Sequence, residues 1–158
     1  MLSLILSLLL QTTPVAPIVK GTALPPPGDE EAQVMAPIQA MLGALQTSDA
    51  AAVLRVTRPD GGATVALEGP NGRRGIRHLT WADFAAGLKP DGNRYEERLG
   101  TPAIEIDGDI AMVWGDVRRT IDGKVASCGV DHFDLIREGG GWKVQNITFS
   151  QRLTGCDG

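Results

Sequence analysis

Apolar residues along this chain recur with two different periods, and the change from one to the other divides it. From Asp29 onward, Val34, Ile38, Met41, Leu42 and Leu45 return every three or four positions, the stripe of an amphipathic helix. Asp29 stands where a cap is needed, and Glu30 and Glu31 follow in the first turn, where the helix dipole favours acids. Pro37 falls inside the stripe and predicts either a kink or a later start to the regular helix. A second, shorter helix is predicted over "DAAAVLRVT", stopping at "RPDGG". The segments "ATVALE" (63–68) and "GIRHL" (75–79) read as short strands around the turn "GPNGRRG". Thr80 can cap a third helix, "WADFAAGL", which Lys89-Pro90 ends.

From Tyr95 the period shortens to two. "YEERLGTPAIEI", "DIAMVWGDVRRTI", "KVASCGVDHFDLI" and "WKVQNITFSQRL" are four strand-like runs, separated by Asp107-Gly108, Asp122-Gly123 and Gly139-Gly140-Gly141. Asp-Gly between alternating runs is a hairpin signal, because a type I′ turn needs positive φ at both central residues. Three hairpins in succession predict an antiparallel meander. Helices followed by a long antiparallel sheet give an α+β fold, and there is no repeat and no second domain.

Five segments, "GDIAMVW" (108–114), "IDGK" (121–124), "CGVDHFDLI" (128–136), "GGGWKVQNITFSQR" (139–152) and "TGC" (154–156), resemble the nuclear transport factor 2-like superfamily. Within it the chain is most similar to bacterial proteins labelled lumazine-binding or SnoaL-like. The resemblance is dense over the C-terminal third, and helix order and length extend it back to about residue 30. It implies a cone-shaped, cystatin-like α+β fold with N-terminal helices packed on a curved antiparallel sheet. It implies no single activity, since isomerases, dehydratases, cyclases, transport adaptors and ligand-binding modules share this fold. Ketosteroid-isomerase-like chemistry in this superfamily relies on a tyrosine and a second acid. The one tyrosine here, Tyr95, opens a strand without an evident partner, so that mechanism is not carried over.

The turns set a register. A two-residue loop at Asp122-Gly123 pairs Ile121 with Lys124, which puts Trp114 opposite Asp131 and Met112 opposite Phe133. A two-residue loop at Gly139-Gly140 puts Asp131 opposite Thr148 and Phe133 opposite Asn146. One face then carries Met112, Trp114, Asp131, Phe133, Leu135, Trp142, Val144, Asn146 and Thr148. Large apolar groups with a few polar ones are what a ligand pocket needs, so Trp114, Met112, Phe133, Asn146, Thr148 and Trp142 are the expected ligand-binding residues. The opposite face carries Val113, Val130, His132, Ile136, Ile147 and Phe149. A sheet apolar on both faces must cover both, which predicts a homodimer through the outer face.

Asp131 and His132 are neighbours on a strand and point to opposite faces, so they do not form a hydrogen-bonded dyad. His132 can instead reach Asp134. Asp131 has two readings: a desolvated carboxylate acting as general base, or an acid held by Thr148 or Asn146 to organise the sheet. Cys128 and Cys156 are either one disulfide or two thiols, and neither has the C-x-x-C partner of a zinc or redox site. No metal or cofactor motif is present: "GPNGRRG" lacks the Gly-Lys-Ser/Thr of a P-loop, and no segment has Rossmann spacing.

Charge and the N-terminus complete the reading. A formal charge of −4 argues against nucleic acid, and Arg73, Arg74 and Arg77, the one dense basic patch, read as a solvated loop. The opening run "LSLILSLLL" spans ~14 Å at helical rise, less than half a bilayer core, so a membrane helix is not expected. Its length fits the apolar region of a secretory signal. Residues 1–23 are therefore expected to be a signal peptide, 24–29 a proline-rich linker and 30–156 the domain, in an exported, periplasmic protein. The function expected is binding of an unidentified, partly apolar small molecule. The alternatives are an isomerase, dehydratase or cyclase using Asp131 as base, and an interaction module using the outer sheet face.

Overall fold

A computed structural model describes residues 28–156, and the expected signal segment lies outside them. Three helices come early: α1 (Asp29–Thr47), α2 (Ala50–Val56) and α3 (Trp81–Ala86). The strands are β1 (Thr57–Glu68), β2 (Arg74–Thr80), β3 (Tyr95–Leu99), β4 (Ala103–Asp107), β5 (Ile110–Ile121), β6 (Lys124–Glu138) and β7 (Gly141–Arg152). Gly28, not Asp29, occupies the cap position of α1, and the helix runs through Pro37. Val34, Ile38 and Met41 from its stripe are buried, while Leu42 and Leu45 pack at the edge of the core. Ser48 adopts a left-handed conformation and ends α1, and the Asp49 side chain accepts from Ala52 N–H to start α2. Thr80 caps α3 as expected, accepting from Asp83 N–H. Among the described residues no helix is long and apolar enough to cross a membrane.

The strands form one curved sheet in the order β2-β1-β7-β6-β5-β3, with β4 also on β5. It is mixed and not wholly antiparallel, because β1 runs parallel to β7. "YEERLGTPAIEI" is two strands: β3 pairs with 117–121 of β5 and β4 with 110–114, along the same edge. Gly100 bridges the break, its N–H donating to Asp116 O at 2.8 Å.

Both central hairpin turns fall where the sequence puts them. Ile121 pairs with Lys124 across Asp122 (φ 51°) and Gly123 (φ 79°), and Glu138 pairs with Gly141 across Gly139 (φ 61°) and Gly140 (φ 82°). Beyond each turn, however, one extra residue enters a ladder. Ala126 is unpaired between the Thr120–Val125 and Arg119–Ser127 pairs, and Gln145 is unpaired between Leu135–Val144 and Asp134–Asn146. A bulge shifts the register by one and so exchanges faces. Trp114 therefore lies opposite His132, and Met112 opposite Asp134. Asp131 lies opposite Gly115 and Phe149, and Phe133 opposite Val113 and Ile147.

The second bulge has a visible cause. The carbonyl of Gln145 accepts the indole N–H of Trp81 at 3.0 Å, which anchors α3 to β7. Gly61 passes so close that a Cβ there would sit 1.6 Å from the same oxygen, so only glycine fits. The inner face of the sheet carries Ala111, Val113, Phe133, Leu135, Val144 and Ile147, which pack with α1, Val53 and Trp81 into one core, and Val117 is buried further along β5.

Candidate functional site

The helices do not cover the inner face completely. Between the end of α1, the chain that follows α3, and strands β3, β5, β6 and β7 lies an open cavity of about 400 Å³. Leu45, Phe84, Leu88, Ile121 and Phe149 form its apolar wall. A smaller hollow of about 40 Å³ shares Leu45, Phe84, Glu97, Arg119 and Phe149 with it and reaches Met41, Phe133 and Ile147 in the core.

Where cavity and hollow share walls there is a charged cluster. Glu97 and Arg119 are directly paired across β3 and β5. Arg119 Nε donates to Glu97 Oε2 at 2.5 Å, and its Nη2 donates to Asp131 Oδ1 at 2.7 Å. Its guanidinium lies 5.0 Å from the centre of the Phe149 ring, a cation–π distance. The side chain of Glu97 is 13% exposed and that of Asp131 is 0% exposed. Asp131 thus sits behind Arg119, while Glu97 and Arg119 face the cavity.

Burial pushes the Asp131 carboxyl up to about 8, repulsion from Glu97 adds to the rise, and Arg119 offsets part of it. For Arg119 burial opposes the charge, but Glu97 and Asp131 outweigh it and move its pKa upward. Arg119 holds Glu97 and Asp131 on either side of itself. Asp131 Oδ2 is buried and has no partner. The arrangement therefore favours a proton on Asp131, with Arg119 bound to both carboxyl groups.

The rim is polar. Tyr95 donates its hydroxyl to Asp91 Oδ2 at 2.6 Å, so the partner not evident in the sequence is an acid four residues before it. This bond, with the Asn93 backbone N–H, holds Asp91 below the usual carboxylate range. Deeper in, Gln151 Nε2 donates to the buried Ser127 Oγ at 3.4 Å.

The expected site residues are only partly brought together. Asp131 and Phe133 are inside, both without exposed surface, and Trp142 is buried beneath the Arg137 guanidinium. Trp114 and Met112 are on the outer face, where Trp114 is 51% exposed, because the Ala126 bulge reverses β5 relative to β6. The Gln145 bulge does the same to the end of β7. Thr148 is exposed, and Asn146 pairs with Asp134 while accepting the Gly62 N–H at 3.2 Å. The same two shifts bring Val113, Ile147 and Phe149, expected outside, to the inner face. Neither Asn146 nor Thr148 is opposite Asp131.

His132 points away from Asp131, with Nε2 3.5 Å from Asp134 Oδ1 and its ring 5.7 Å from that of Trp114. Cys128 and Cys156 form a disulfide, with Cα atoms 5.5 Å apart. Sequence reasoning missed Glu97 and Arg119. The available signal was the run Ala111, Val113, Gly115, Val117, whose alternation continues to Arg119 and marks the inner face of β5.

With this geometry in place, comparison with known proteins is informative. The family model for the SnoaL-like domain matches residues 29–148. The chain belongs to the SnoaL-like domain family. No curated protein matches this SnoaL-like chain. Among solved structures it is similar to an NTF2-like protein from Cytophaga hutchinsonii, with 13% identity and a TM-score of 0.63 over 78% of this chain and 98% of that one. An NTF2-like protein of unknown function from Silicibacter pomeroyi has 16% identity and a TM-score of 0.59 over 78% and 96% of the two chains. A protein with a cystatin-like fold from Nostoc punctiforme has 15% identity and a TM-score of 0.58 over 77% and 90%. These likenesses establish the fold of this SnoaL-like domain, the cystatin-like α+β architecture that the resemblance implied.

Proposed function

We propose that this SnoaL-like domain binds a small, partly apolar molecule in the cavity bounded by α1, the chain after α3 and the inner sheet face. One observation carries the reading: an apolar-walled cavity of about 400 Å³ ends on the buried Glu97–Arg119 pair, the combination of burial and orienting groups typical of ligand sites. Native mass spectrometry of protein purified from the host's periplasmic fraction tests it. The expected result is a retained small molecule that is lost in Ala126→Trp, which places an indole in the cavity. Retention in that variant refutes the reading.

A second reading is supported by the raised Asp131 pKa: proton transfer, as in an isomerase, dehydratase or cyclase. In it Glu97 faces the substrate and Asp131 is the proton reservoir behind it. Turnover abolished by both Glu97→Gln and Asp131→Asn, with ligand affinity kept, is its expected signature. Binding without turnover in the unmodified protein leaves the first reading alone.

The outer face supports a homodimer with a second copy of this chain. Ile110, Met112 and Trp114 are exposed there, and the Trp114 ring lies beside that of His132, tilted by 50°. Seven strands of 5 to 15 residues, at about 3.3 Å per residue and about 4.8 Å apart, offer roughly 1,000 Å², enough for the ~800 Å² per partner of a stable interface. Light scattering is expected to give a dimer that Trp114→Lys converts to monomer. The Cys128–Cys156 disulfide supports export to the periplasm, since such bonds persist in oxidising compartments.

A further inference from the structure

The cavity floor has unequal capacities for hydrogen bonding. Arg119 is nearly spent as a donor: Nε goes to Glu97, Nη2 to Asp131 and at 3.5 Å to Glu97 Oε1, and Nη1 to Ser150 O at 3.5 Å. Its flat face is against Phe149. Glu97 is the opposite case. A carboxylate has about four acceptor positions, and Arg119 occupies one well and a second at 3.5 Å. Behind them Asp131 Oδ2 is buried without a partner.

The charges around the cavity point the same way. Lys89 and Arg119 are its cations, and Asp91, Glu96 and Glu97 its acids, with Asp131 behind the floor. The α1, β6 and β7 segments that line it, represented by Leu45, Gln46, Ala126, Ser127, Phe149 and Gln151, add no charge. Lys89 is exposed, so at depth the one cation is already held between two carboxyl groups. An anion entering that site would meet acceptors and a guanidinium with little left to donate. A donor would meet an acceptor with free positions.

We infer that the ligand presents a hydrogen-bond donor, a hydroxyl or a protonated amine, on an apolar body, and that Glu97 accepts it at the cavity floor. The inference rests on the cavity-binding reading and names the ligand class for it. Glu97 is the contact residue. Arg119 and Asp131 are positioning residues: Arg119 fixes the orientation of the Glu97 carboxylate, and Asp131 holds Arg119 from behind.

Three probes on one apolar body test this: 2-(1-naphthyl)ethylammonium, 2-(1-naphthyl)ethanol and 1-naphthylacetate. Calorimetry ranks them, and amide chemical shifts locate them on the full chain. The ammonium and the alcohol are expected to bind about tenfold or more tighter than the acetate, shifting resonances at Glu97, Arg119 and Phe149. Glu97→Gln is expected to erase the preference for ammonium, whereas Lys89→Ala at the exposed mouth leaves the order unchanged. If Glu97→Gln does not fold, the ranking in the unmodified protein decides. Acetate binding as tightly as the others, with the same resonances shifted, overturns the ligand class and leaves cavity binding standing. Shifts confined to residues away from the cavity overturn both.

Discussion

The two faces of strands β5, β6 and β7 are made from similar residues and behave as different media. On the inner face Phe133 has no exposed surface, while on the outer face Trp114 is half exposed one ladder step away. Asp131 is sealed behind a guanidinium and pushed up to about 8, while Asp134, three residues along the same strand, is 47% exposed and near His132. Strand alternation alone separates them. Water screens a pair such as His132–Asp134, whereas in the interior the same kind of charge acts at full strength and must be matched by a partner or a proton. Chemistry is thereby concentrated on one side of the sheet and contact surface on the other.

The comparison breaks most directly at Arg119. Arg119→Met leaves Glu97 buried and unpaired, and a loss of roughly 3–5 kcal/mol is expected in urea unfolding. The outer counterpart, Asp134→Asn, is expected to change stability by less than about 1 kcal/mol. Apolar positions should divide the same way: Phe133→Ala is expected to cost about 3–5 kcal/mol through the cavity it leaves, against less than ~1 kcal/mol for Trp114→Ala in the monomer. Similar losses at inner and outer members of either pair would mean that the faces are misassigned.

The largest outer-face effect is expected from a covalent bond. The disulfide between Cys128 and Cys156 closes a loop across 28 positions of sequence. Constraint of the unfolded chain by such a loop is worth about 3.5 kcal/mol. Cys128→Ser with Cys156→Ser should therefore lower the urea midpoint to the value that dithiothreitol gives the unmodified protein. A midpoint indifferent to reductant would show that the closed loop contributes nothing.

Why the inner site was only half legible follows from the same strands. Periodicity and turn chemistry identify the helices, the Asp122-Gly123 and Gly139-Gly140 hairpins and the family, because each is a local signal. Asp131 and Phe133 are correctly placed inside, as both lie on β6, whose own alternation is unbroken through the center of the sheet. Trp114, Met112, Asn146 and Thr148 are misplaced for one reason: Ala126 and Gln145 add a residue to the ladder, and nothing in a two-residue turn announces a bulge three or five residues further on. The cause of the second bulge is the indole of Trp81, 64 residues away in sequence. Glu97 and Arg119 escaped notice for a related reason. A charged residue near a strand end reads as solvated until the opposing helix and loop that enclose it are known.

The smallest effect, and the most specific to the inner face, concerns the proton on Asp131. An unfolded aspartate titrates at about 3.9, and in the folded protein Asp131 is raised to about 8. Between those values the folded state holds a proton that the unfolded chain has released. Stability is then greatest below about pH 4 as far as this group is concerned, falls as pH rises toward about 8, and levels off above it. Asp131→Asn imitates the protonated acid and keeps an oxygen for Arg119, so at pH 6 it is expected to change stability by no more than about 1 kcal/mol. Its effect appears in the slope: urea unfolding of the variant from pH 5 to pH 8 should lose the decline that the unmodified protein has. Because repulsion from Glu97 adds to the rise at Asp131, Glu97→Gln should make the same segment shallower. A slope that survives both substitutions would place the proton elsewhere and leave Asp131 ionised beside Arg119, in which case Asp131→Asn should instead be strongly destabilising at pH 8.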